Sequence, residues 1–184
     1  MQISEVKIIL IHGNDTMRWS HAWLPWAKQE LEKLELNVVA ETFPDSILAR
    51  KQYWLRFLKE YLHADENTII IGHSSGAVAA MRFAEENKLL GSILISPCYT
   101  DLGIEAEKQS GYFDGPWDWK TIKKNQKWIV QFASKDDPFI PVGEFQRIHK
   151  KLETEYHEFE NRGHFNVQDA FPEIIEVIKR KLNL

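Results

Sequence analysis

The stretch Thr68-Ile69-Ile70-Ile71-Gly72-His73-Ser74-Ser75-Gly76-Ala77-Val78 restricts the folds open to this chain of 184 residues more than any other. Three β-branched isoleucines after Thr68 predict a short strand buried on both faces, as in a parallel sheet. The chain must then turn sharply, because Ala77, Ala79, Ala80, Met81 and Ala84 are helix formers. Gly72-His73-Ser74-Ser75-Gly76 fits G-x-S-x-G, with Ser74 at its centre. A strand, a tight turn with glycine on both sides of a serine, and a helix together make a nucleophile elbow. Side chains in place of the two glycines would clash with the neighbouring strand and helix. Ser74 is thereby expected at the C-terminal end of its strand, with a helix N-terminus beneath it.

The rest of the chain reads as support for that turn. Val6 to Ile11 predicts a first buried strand, ending in the turn formers His12-Gly13-Asn14-Asp15. A helix is expected over about Ala22 to Leu36, with Leu24, Ala27, Leu31 and Leu34 at helical spacing. Trp19, Trp23 and Trp26 crowd its start and read as core. Asn37 to Glu41 is a short second strand. A long helix is expected next, capped by Asp45 or Ser46, with Leu48, Trp54 or Leu55, Leu58 and Leu62 as its apolar face. After the elbow strand come strands at Gly91–Ser96, Trp128–Phe132 and, more weakly, Tyr156–Phe159. A last helix has Pro172 in its first turn and Phe171, Ile174 or Ile175, Ile178 and Leu182 on one face. Strands alternating with helices imply a doubly wound α/β fold of about six parallel strands, a three-layer sandwich with right-handed crossovers. Ligands of such sheets bind at the C-terminal strand ends.

The chemically capable residues fall in the loops at those ends. A serine hydroxyl needs a base to take its proton, and the base needs a partner to fix its tautomer. Of the seven histidines, His164 lies in the loop after the last strand, where Gly163 lets the imidazole lean back across the strand ends. His149 reads as solvated in a polar helix, His157 as a strand residue, His63 as part of a polar turn and His21 as surface. His12 and His73 flank the crevice, His73 pointing away from the nucleophile. The acid is Asp136 or Asp137, which spacing alone does not separate. Ser, Asp, His is the chain order of α/β-hydrolases. An oxyanion hole of backbone N–H groups would come from Ser75 and from the loop after the first strand, most simply at Asn14.

Composition excludes other classes. The net charge is −4, so no basic excess points to nucleic acid. No apolar run approaches the roughly 20 residues of a membrane span, and no charged-then-apolar leader is expected. Cys98 is the only cysteine, so no internal disulfide forms, and a cytoplasmic location is expected. No His, Cys or carboxylate cluster has zinc-ligand spacing, and Gly13-Asn14-Asp15 lacks a dinucleotide-binding turn, so neither metal nor cofactor is expected. With no repeat or linker, the chain reads as one domain over residues 1–184. From Asp101 to Asn125 the connection is too long for an ordinary αβ loop and carries Tyr112, Phe113, Trp117 and Trp119. Either these rings cover one face of the sheet, or one or two of them wall an acyl pocket above Ser74 as part of a small lid.

The chain resembles the α/β-hydrolases, and among them the retinoblastoma-binding protein nine family of small serine hydrolases. The resemblance runs through Thr68 to Ala77, Ser110-Gly111-Tyr112-Phe113, Gly115 to Trp119 in part, Ile129 to Phe132, Asp136-Asp137-Pro138-Phe139 and Gly163-His164-Phe165. It implies a triad of Ser74, Asp137 and His164, the acid supported by the Asp-x-x-x-Pro pattern from Asp137 to Pro141. It also implies a minimal sheet in the order 2-1-3-4-5-6. The substrate would be an ester, amide or thioester of a small acyl group. The family's Leu-x-Cys-x-Glu retinoblastoma-binding sequence is broken here, Leu62-His63-Ala64-Asp65-Glu66 having alanine for cysteine, so such a partner is not expected. The rival reading is a noncatalytic interaction protein on a hydrolase scaffold.

Overall fold

A computed structural model describes residues 5–184. Its sheet has six strands in the order β2-β1-β3-β4-β5-β6. These are β1 Lys7–Ile11, β2 Asn37–Ala40, β3 Thr68–His73, β4 Gly91–Ile95, β5 Ile129–Ser134 and β6 Glu155–Phe159, every pair parallel. The helices are α1 Leu24–Glu32, α2 Lys51–Arg56, α3 Ser75–Glu86, α4 Glu105–Ser110, α5 Trp119–Lys124, α6 Val142–Leu152 and α7 Pro172–Leu182. No helix among the described residues is long and apolar enough to cross a membrane.

Alternation along the strands builds the two flanking layers. Ile9, Ile11, Ile70 and Leu94 pack with α2, α3, α5 and α6 on one face. Ile8, Leu10, Ile69, Ile71, Ile93 and Ile95 pack with α1 and α7 on the other. Successive side chains point to opposite faces, so an unbroken apolar run serves both layers at once.

Two helices differ from the sequence reading. The first begins at Leu24 with Pro25 in its first turn and ends at Glu32, four residues short of Leu36. The second does not start at Asp45 or Ser46. Asp45 and Ala49 both adopt left-handed backbone (φ 53° and 51°), which an α-helix does not accommodate, and α2 begins only at Lys51. The Asp45 carboxylate accepts from Arg50 Nε at 2.7 Å, Nη2 at 3.0 Å and the backbone N–H at 3.1 Å, so it serves the turn and its guanidinium. Beyond Arg56 the chain widens into a π-helical turn, Phe57–Tyr61, which keeps Leu58 and Leu62 buried. His149 is not solvated either: it is half-buried, stacked on Tyr156 and 3.0 Å from Thr154 Oγ1.

The glycines of the elbow are held by backbone contacts. A Cβ on Gly72 would lie 2.4 Å from Gly76 O, and one on Gly76 would lie 2.6 Å from Ile11 O and 2.7 Å from His12 O. Gly72 thus lets β3 meet the first turn of α3, and Gly76 lets α3 meet the end of β1. Neither neighbour is a flexible side chain, so Gly76→Ala should destabilise the fold by about 1–3 kcal/mol, the usual cost of overpacking. Gly143 in α6 has open space around it. Gly143→Ala should instead stabilise by about 0.5–1 kcal/mol, as expected for alanine in a helix. Thermal melts of both variants check the contrast, and a Gly76→Ala protein that melts like the parent would refute the close-approach account.

Candidate active site

Ser74 stands between β3 and α3 at φ 53° and ψ −119°. Such backbone costs on the order of 1–3 kcal/mol and persists only where packing over-determines it. Here the two glycine contacts do so, together with the Ser74 N–H bonded to Ile95 O at 2.8 Å. Ser74 opens into a cavity of about 350 Å³ at the C-terminal strand ends, shared with Gly13, Asn14, Ser75, Glu107, Phe139 and His164. Gly13 presses close, since a Cβ there would lie 3.3 Å from Ser74 Cβ.

His164 comes from the loop after β6, and Asp137 from the turn after β5. His164 Nδ1 lies 2.8 Å from Asp137 Oδ2 and 3.1 Å from Oδ1. A carboxylate only accepts, so Nδ1 carries the proton and Nε2 is left as an acceptor. The Asp137 side chain is fully buried. Burial works against its charge, but the His164 hydrogen bond and charge, with the N–H groups of Phe139 and Ile140, hold its pKa below the ordinary value. Ser96 Oγ donates to Asp137 Oδ2 at 2.8 Å. The neighbouring Asp136 does not touch the imidazole. Its Oδ1 accepts from Ser134 Oγ at 2.6 Å and from Gly163 N–H at 2.9 Å. The two aspartates that spacing left equivalent therefore do different things.

Ser75 is the first residue of α3, so its N–H has no intrahelical acceptor and points out at the positive end of the helix dipole. Asn14 lines the same cavity, and its Nδ2 donates to Glu107 Oε1 at 2.7 Å. Glu107 belongs to α4; burial pushes its carboxyl above the ordinary value, against the Asn14 hydrogen bond. Cys98 also lines the cavity, but burial pushes its thiol well up, so little thiolate is available for attack. Among the described residues no group of three or more His, Cys, Asp or Glu could hold a metal ion.

None of the four rings named as candidate pocket walls lines the cavity. Tyr112 is fully buried in the core on the α3 face, and Phe113, Trp117 and Trp119 pack against that core. Arg82 holds them there. Its guanidinium lies 3.6 Å from the Trp117 ring centroid and donates to the carbonyls of Tyr112, Gly115 and Pro116. Arg82 sits two turns into α3, so the segment it binds is carried away from Ser74. The earlier half of the insertion reaches the cavity instead, through Leu102, Ile104, Ala106 and Glu107. Sequence reading also missed Ser96, whose place just past β4 was a signal, and Phe139, whose exposed ring stands edge-on to His164 at 5.1 Å.

Two histidines beside the site are structural. His12 Nδ1 donates to Gly13 O at 2.6 Å, and Nε2 accepts from Phe43 N–H at 2.9 Å. His73 faces His164, with ring centroids 4.9 Å apart. Its Nε2 donates to His164 O at 2.7 Å, and burial, with His164 nearby, pushes its pKa down to about 3, so the ring is neutral.

Comparison with known proteins places this architecture. The rat (Rattus norvegicus) serine hydrolase RBBP9 is 44% identical over 183 residues, 97% of each chain. The ydeN gene product of B. subtilis superposes with a TM-score of 0.88 at 25% identity, over 97% of this chain and all of that one. The Pyrococcus furiosus esterase Pf2001 shares the fold, with a TM-score of 0.67 at 19% identity over 98% of this chain and 82% of that one. The family model described as serine hydrolase matches residues 8–181, from β1 to the last turn of α7. An α/β-hydrolase sheet with a Gly-flanked serine at its topological centre is what that match spans, and the chain belongs to the serine hydrolase family.

Proposed function

We propose that Ser74, His164 and Asp137 form a catalytic triad that hydrolyses an ester, amide or thioester of a small acyl group through an acyl-enzyme. The observation that carries this reading is the His164–Asp137 hydrogen bond at a cavity that also exposes Ser74. Ser74 Oγ attacks the acyl carbonyl while His164 Nε2 takes its proton, and the imidazolium is stabilised through Nδ1–H by buried Asp137. The tetrahedral oxyanion is held by the N–H groups of Ser75 and Asn14, aided by the α3 dipole. Collapse expels the alcohol, amine or thiol with the proton from His164. Water then attacks the acyl-enzyme, giving its proton to His164, and Ser74 leaves as the hydroxyl.

The size and chemistry of the cavity support small acyl groups. About 350 Å³ is at the small end of ligand sites. Leu102, Ile104 and Phe139 give its lining apolar surface, while Glu107 brings a carboxylate into the wall. Aryl esters of graded acyl length test the reading. Turnover should be highest for short neutral acyl groups. Once Glu107 is ionised, a hemisuccinate should react at least about tenfold less efficiently than a butyrate, because a like charge placed near it costs more than a kcal/mol. No turnover of any ester or aminoacyl amide would overturn the reading. Equal rates for the two acyl groups would remove Glu107 from the substrate's surroundings.

A further inference from the structure

The loop that carries His164 has no regular structure of its own, yet the backbone of four consecutive residues in it is held by side chains from three separate elements. Arg162 N–H donates to Ser134 Oγ at 2.9 Å. Gly163 N–H donates to Asp136 Oδ1 at 2.9 Å. His164 O accepts from His73 Nε2 at 2.7 Å. Phe165 O accepts from Trp23 Nε1 at 3.0 Å. Ser134 and Asp136 lie at the end of β5, His73 at the end of β3, and Trp23 just before α1. Ser134 and Asp136 are themselves joined at 2.6 Å, so the two contacts before His164 act as one unit.

We propose that Asp136, through Ser134 and the N–H groups of Arg162 and Gly163, is a positioning residue that fixes the His164 imidazole for proton transfer. Gly163 and Phe165 both have positive φ (54° each); glycine adopts that backbone freely but phenylalanine does not, so contacts must hold Phe165 there. Ser134 is completely buried, and its hydroxyl both donates to Asp136 and accepts from Arg162. Asp136 is exposed and touches neither the imidazole nor the cavity, so its hydrogen bonds reach His164 through the loop, although its charge also lies beside that of Asp137. What the contact requires is an oxygen acceptor at Oδ1, and asparagine supplies one whereas alanine does not. A displacement of about 1 Å at a reacting group costs on the order of a hundredfold in rate.

The inference rests on His164 being the base, and its test separates the two ideas. Asp136→Ala, Asp136→Asn and Ser134→Ala are compared for kcat and KM on a short aryl ester, with melts to establish folding. The proton NMR signal of the His164 Nδ1–H bonded to Asp137 is followed alongside. Asp136→Ala should lower kcat by about ten- to a hundredfold with KM nearly unchanged, and should broaden or shift the Nδ1–H signal. Asp136→Asn should restore most of both, and Ser134→Ala should behave like Asp136→Ala. If Asp136→Ala does not fold, Ser134→Ala decides by the same readouts. Parent-like kcat and NMR signal in the folded alanine variants would overturn the proposal, as would an Asp136→Asn protein as impaired as Asp136→Ala. A changed NMR signal with unchanged turnover would refute the role of His164 as base, leaving the grip on its loop intact.

Discussion

Ser74→Ala should abolish labelling by a serine-directed phosphonate and lower turnover by about a millionfold, the loss found when a triad nucleophile is removed in subtilisin. In the proposed triad the effect is this large because nucleophile, base and acid act as a unit: without Oγ there would be no acyl-enzyme, and His164 would have no proton to take. Ser75 makes the comparison decisive, since it is adjacent and polar. Its side chain is buried and its Oγ has no hydrogen-bond partner among the described residues, but it is the first helical residue, whereas Ser74 occupies the strained turn. Ser75→Ala leaves the backbone N–H in place and should still label. Labelling that survives Ser74→Ala and vanishes with Ser75→Ala would move the nucleophile by one residue. His164→Ala should be nearly as inactive as Ser74→Ala.

Asp137→Asn should lower kcat by up to about ten thousandfold, as replacing the triad acid does in trypsin. The structure gives the reason. The N–H groups of Phe139 and Ile140 both point at Asp137 Oδ1, at 3.0 and 3.1 Å, so an asparagine carbonyl takes that place. The amide nitrogen is then left facing His164 Nδ1 and donates to it. The ring's proton then moves to Nε2, the atom that accepts from Ser74 in the proposed triad. Asp136→Asn keeps its acceptor toward Gly163 and should cost far less. Equal losses, or the reverse ranking, would overturn the division of labour between the two aspartates. Stability should follow the same residue. The folded state holds the Asp137 pKa below the ordinary aspartate value of 3.8, so its contribution is complete above that pH and is lost as the pH falls through the lowered value. Acid melts of Asp137→Asn should lack that component.

Much of the architecture was legible because its signals are local. The apolar runs of β1, β3 and β4 and the flanking glycines of the elbow identify a parallel sheet and its sharpest turn, since strand burial and close backbone approach act within a few residues. Helix boundaries were less legible. The left-handed turns at Asp45 and Ala49 override a stretch whose composition suits a helix, and the π-helical turn at Phe57 shifts the register needed to keep Leu58 and Leu62 inside.

The site depended on contacts between residues far apart in the chain. Asp137 was distinguished from Asp136 by where its turn points it, toward a histidine 27 residues later and a serine 41 residues earlier. Asn14 meets Glu107 across 93 residues, and Trp23 meets Phe165 across 142. The aromatic insertion shows the same division most sharply. Its rings were conspicuous in the sequence, but the buried guanidinium of Arg82 draws them onto the face of α3, and the short helix before them walls the cavity instead. By itself the sequence determined the strand order's central turn, the residue types available for the chemistry and the loops that carry them. Tertiary structure decided which of those residues meet, because a side chain's partner is set by packing summed over the whole sheet and no local propensity encodes it.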